Sequence, residues 1–65
     1  MEIRIGAREK GTRAEIIRSL YERAEGEEHR GKPHLAIAAK AAARLIQEGR
    51  DHVWVGAIHY VVTGD

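Results

Sequence analysis

The sequence predicts an α+β fold of order β-α-α-β, with an antiparallel sheet packed on an αα-hairpin and extended across a homo-oligomer interface. Three observations predict it. Thr12 and Glu15 stand at the spacing of a capping box ahead of an amphipathic stretch. Gly26, Pro33 and Gly49 punctuate the middle of the chain as a helix stop, a helix start and a second stop. The last stretch, His52 to Thr63 (HVWVGAIHYVVT), is apolar on both alternating faces, as a strand covered on both sides must be.

The first strand is read over Glu2 to Arg8. Ile3, Ile5 and Ala7 share one face; Glu2, Arg4, Gly6 and Arg8 share the other, so this strand has one solvated side and suits a sheet edge. The first helix then runs from the Thr12 cap to about Glu25. Ala14, Ile16, Ile17, Leu20, Tyr21 and Ala24 occupy one arc of roughly 160° at 100° per residue, opposite Glu15, Arg18, Ser19, Glu22 and Glu25. Gly26 to Lys32 is the connecting loop, and the second helix spans Pro33 to about Glu48.

That second helix differs in kind. Its polar residues Lys40, Arg44, Gln47 and Glu48 cluster within about 100°, while six alanines together with Leu35, Leu45 and Ile46 fill about 220°. So wide an apolar arc is expected to touch the sheet on one side and a neighbour on another. Ile37 falls in the polar arc and is either a lone exposed apolar residue or a second hint of an interface.

Antiparallel helices on one face would return the last strand antiparallel to the first. The lengths then fail to match: seven residues against twelve is roughly 23 Å against 40 Å of strand. The overhang and free edge of the long strand would be unpaired in a monomer, and a two-stranded sheet is seldom stable alone. Pairing of His52–Thr63 with its counterpart across a two-fold axis removes both problems. The expected interface comprises Val53, Trp54, Val55, Ala57, Ile58, His59, Tyr60 and Val61 from the strand, with Ile37 and Ala41 from the second helix.

Composition bounds the function. At 65 residues the chain is one small domain, of a size that leaves only a few kcal/mol of net stability, and without cysteine it has no disulfide to add. Eleven Lys and Arg against ten Asp and Glu give a net charge of +1, which creates no long-range field toward nucleic acid or an anionic membrane. No apolar run reaches the length of a membrane span, so a soluble protein, cytoplasmic by default, is expected.

Candidate chemistry is sparse. Gly6 to Thr12 (GAREKGT) approaches the phosphate-loop pattern GxxxxGK[ST], but Thr12 stands where the lysine belongs, and a turn with a capping box accounts for the same residues. Of the histidines, His29 and His34 flank the inter-helix loop. His52 and His59 are seven apart, which on one regular strand sends them to opposite faces and prevents a shared ion. Ser19, Thr12 and Thr63 have no sequence-local base. Trp54, Tyr21 and Tyr60 all fall where a core is expected, which leaves the arginines without exposed rings for nucleic-acid stacking. The expectation is therefore no enzymatic activity, no metal, no cofactor, no small-molecule substrate, and no nucleic-acid partner.

Taken together, the capping box of Thr12 and Glu15, the stops at Gly26 and Gly49, Pro33 at a helix start and the absence of cysteine make the chain similar to computationally designed α/β homo-oligomers. That resemblance implies self-assembly into a closed dimer or ring without a substrate. The alternative is a natural small protein-binding module or inhibitor, similar in size and architecture to some anti-CRISPR proteins.

Overall fold

A computed structural model describes residues 7–64 of the chain. Five elements follow one another: β1 (Ala7–Thr12), α1 (Arg13–His29), α2 (Pro33–Gln47), β2 (His52–Val55) and β3 (Ile58–Gly64). The residues Glu2 to Gly6, where the first strand is expected to begin, lie outside those described.

The α+β class and the order β-α-α-β hold, but the sheet is mixed and has three strands in the order β1-β3-β2. The stretch expected to be one long strand is a hairpin. Val55 pairs with Ile58 across the two-residue turn Gly56-Ala57, and β2 and β3 then run antiparallel through Val53–Tyr60 to His52–Val61. Gly56 has φ +60° and Ala57 has no positive φ, the signature of a type II′ turn, whose twist suits a tight hairpin and whose first central position calls for glycine. The αα-hairpin does return β2 antiparallel to β1, as its geometry demands. The turn then reverses the chain once more and inserts β3 between them, parallel to β1, with Ala7 opposite Ile58 and Gly11 opposite Val62.

Both helix boundaries have local causes. Thr12 closes β1 and caps α1 directly: its hydroxyl accepts from the Glu15 amide at 3.2 Å, and the Glu15 carboxylate accepts from the Thr12 amide at 2.9 Å. Gly26 does not stop α1, which continues to His29. The penalty for helical glycine is about 1 kcal/mol, and the same turn buries Glu27 against Arg23 one turn earlier, with 3.4 Å between Glu27 Oε2 and Arg23 Nε. The stop is instead Gly31, where the amides of Gly31 and Lys32 bond the carbonyls of Glu28 and Glu27; Gly49 and Arg50 repeat this Schellman pattern on Ile46 and Leu45 at the end of α2. The loop expected over Gly26–Lys32 thus shrinks to Arg30–Lys32.

Ile16, Leu20 and Ala24 of α1, Ala36, Ala39, Ala42, Ala43 and Ile46 of α2, and Val53, Val55 and Tyr60 of the hairpin form one core. Alanines in α2 let that helix lie close to α1 and β2. The Cα trace fills a slab 34 × 31 × 13 Å, which is two layers thick. One face of the sheet therefore carries the helices, and among the described residues no element covers the other.

Candidate functional site

The hairpin decides what the sheet presents. Because the turn falls between Val55 and Ile58, the face toward the helices takes the odd residues of β2 and the even residues of β3: Val53 and Val55 with Ile58, Tyr60 and Val62. The open face takes the complement. One cross-sheet row is Arg8, His59, Trp54; the next is Lys10, Val61, His52. A single continuous strand would have mixed these sets.

His52 and His59, expected on opposite faces, are consequently neighbours on the same face. His59 Nε2 lies 3.2 Å from His52 Nδ1, with the rings edge to face, so one ring nitrogen donates and the other, unprotonated, accepts. The Trp54 indole, expected in the core, stacks on His59 at 4.4 Å between centroids and 6° between planes, and remains 58% exposed. His59 is held below the usual imidazole value of 6.5, first by loss of water contact where the indole covers it, then by the charges of His52 and Arg8. Among the described residues no three histidines or carboxylates converge to hold a metal ion.

No carboxylate among the described residues lies on this face. Glu9 alternates to the helix side of β1 and accepts a hydrogen bond from Ser19 of α1. Asp51 turns to Arg13, at 3.0 Å, and the same guanidinium donates to the carbonyls of Ile46 and Arg50 at 2.7 and 3.0 Å. Arg13 thus ties the start of α1 to the end of α2. The segment that approaches a phosphate loop is the end of β1 and the cap of α1; a Cβ on Gly11 would lie 2.8 Å from Glu15 Oε1, so glycine there makes room for the capping carboxylate.

A second surface lies on the helices. Tyr21 of α1 and Ile37, Lys40, Ala41, Arg44, Leu45 and Glu48 of α2 line a shallow groove of about 540 Å³. Ile37, Tyr21 and Leu45 are 65%, 43% and 40% exposed; with Trp54 they are the large apolar side chains most open to solvent among the described residues.

No family model, curated protein or solved structure matches the chain.

The residues expected at an interface divide among three places. Val53, Val55 and Tyr60 are buried by the chain's own helices, and Ile58 is half-buried beside them. Ala57 is exposed in the turn, while Trp54, His59 and Val61 lie on the open sheet face. Ile37 and Ala41 are in the helical groove. The strand carrying Ile58 to Val61 is central in the sheet, with both edges already paired. Sequence reasoning left Tyr21 and Leu45 out of the interface, because an amphipathic arc does not say which of its margins the sheet leaves uncovered. The signal that could have found the turn is Gly56, since glycine within an apolar alternation marks a break in the strand.

Proposed function

We propose that the chain is a self-associating protein whose helical groove docks against the same groove of a second copy. The observation that carries this reading is the convergence of Tyr21, Ile37 and Leu45, three of the four most exposed large apolar side chains among the described residues, on one stripe. Ile37, Ala41 and Leu45 follow at intervals of four along α2, so they form a single ridge. With a two-fold axis at Ala41, each Ile37 meets Leu45 of the other copy, and alanine at the crossing lets the axes approach to about 8 Å. Glu48 at one end of the stripe then faces the end of the other helix that carries Lys32 and His34, which favours the antiparallel arrangement electrostatically.

The need for a partner follows from the core. Five of its eleven members are alanine, and only Ile16, Leu20, Ile46 and Val55 are large and fully enclosed. Chains of this length seldom hold a comfortable margin of stability on such a core.

Sedimentation equilibrium tests the reading. The expected mass is twice 7.3 kDa, falling to the single-chain value in Ile37→Glu with Leu45→Glu, with the circular dichroism spectrum of the fold retained. A wild-type monomer at micromolar concentration overturns it, as does a stoichiometric complex with a different protein that displaces the second copy.

A further inference from the structure

Open sheet faces in two-layer folds must be wet, covered or used, and this one has a composition that water alone does not require. Its indole stands beside a stacked imidazole, with Arg8 and Lys10 on the adjoining strand and no carboxylate among the described residues. Arg50, His52 and Trp54 also line a shallow groove at the free edge of β2, whose other wall is Ala38, Ala41, Ala42 and Leu45 of α2. An exposed tryptophan pays for its position in lost burial, yet here it is already held flat against a second ring.

We propose that this face is a platform for single-stranded nucleic acid, on which Trp54 stacks with a base and Arg8, Lys10 and Arg50 receive the flanking phosphates. His59 covers one side of the indole, and the exposed remainder offers a base the continuation of a stack that has already begun. Such aromatic stacking accepts any base, because every base has a π-face, and cations spaced around it track the backbone. β1 and β2 are separated by β3, so Arg8 and Trp54 are about 10 Å apart across the sheet, a span of one or two nucleotides rather than a long groove. A duplex keeps its bases stacked inside and presents no ring to Trp54. The apolar content of the face, Trp54 and Val61 without a further large side chain, is small for insertion into a lipid surface. The helical dimer leaves the open sheet face of each copy outward, and the two surfaces adjoin only at the β2 edge, where Ala41 and Leu45 line both grooves.

The chain contains one tryptophan, so its intrinsic fluorescence reports directly on the proposed contact. Titration of the full chain with oligodeoxythymidylate and with oligouridylate is expected to quench that fluorescence, in a manner that weakens with salt, while a duplex of equal length quenches far less. Measured by anisotropy of a labelled oligonucleotide, Trp54→Ala is expected to bind about tenfold more weakly, and Trp54→Phe to recover part of the loss. Arg8→Ala with Lys10→Ala should reduce the slope of log affinity against log salt by about 1.4, the share of two phosphates on a single strand. Because Trp54 is outside the core, these variants keep the fold, which circular dichroism verifies. Equal binding by Trp54→Ala, equal quenching by duplex, or quenching by phosphatidylserine vesicles or polyglutamate in place of the oligonucleotides overturns the proposal.

Discussion

His59 is the residue whose surroundings are most unlike those read from its place in the chain. Three groups face it: the Trp54 indole and the His52 imidazole from β2, and the Arg8 guanidinium from β1. Loss of water contact at the ring, and the like charge of His52 and Arg8, disfavour the imidazolium. The folded chain therefore holds its proton on His59 less tightly than the unfolded chain does. Stability from this group is fully present above pH 6.5 and is lost as the pH falls from 6.5 through the lower folded value, because the unfolded state binds the proton first. A ring-proton NMR titration is expected to place the His59 midpoint below 6.5. His52→Gln and Arg8→Ala should each move it upward, since each removes a like charge, and His52→Gln should move it more. A midpoint at or above 6.5 in the wild-type chain would contradict the stacked, water-poor setting described for this ring.

At the scale of elements, the hairpin is the unit on which the fold turns. Gly56 is required there twice over: its φ of +60° is left-handed, and a Cβ would stand 3.2 Å from Arg23 Nη2 and 3.8 Å from Leu35 Cδ2. Arg23 has little room to yield, since Nη1 donates to the Tyr60 hydroxyl at 3.4 Å and Nε faces Glu27. Gly56→Ala is expected to destabilise the chain by about 1–2 kcal/mol, the usual penalty for a side chain in this conformation. Gly26 is the opposite case, a glycine inside α1 with nothing within 4 Å of its would-be Cβ; Gly26→Ala should stabilise by about 0.5–1 kcal/mol. Urea titrations that shift the two midpoints in opposite directions at constant m-value check both. The two glycines also show what was legible in the sequence. The capping box at Thr12 and the stop at Gly49 are local chemistry, written in adjacent residues, and both are found. Gly26 and Gly56 were misread in complementary ways, as a stop that proved helical and as a strand residue that proved a turn. What decided them is tertiary: Arg23, paired with Glu27 one turn away, is held by Tyr60 of the hairpin, and β3 packs between β1 and β2, contacts that join residues far apart in the chain.

For the molecule as a whole, the net charge of +1 conceals a segregation that only the turn reveals. The described carboxylates lie on the helices, the connecting loops and the helix side of β1, which leaves the open sheet face cationic. The apolar surplus gathers on the helices, along Ile37, Ala41 and Leu45. The two surfaces adjoin at the β2 edge, where Ala41 and Leu45 line both grooves, but each rests on its own large side chains, Ile37 with Leu45 against Trp54, and this separates the two proposals experimentally. If folding and association are linked through the helical groove, the second copy acts as a ligand of the native state, and the melting temperature must rise with protein concentration. That dependence is expected for the wild-type chain and for Trp54→Ala, and should vanish in Ile37→Glu with Leu45→Glu. Each interface substitution introduces a carboxylate into a site expected to be dry, so the variant should also melt below the wild type when both are measured at high concentration and approach it on dilution. Melting curves that overlay at every concentration would mean that the small alanine-rich core suffices for one chain, and that the exposed stripe on α2 plays no part in its stability.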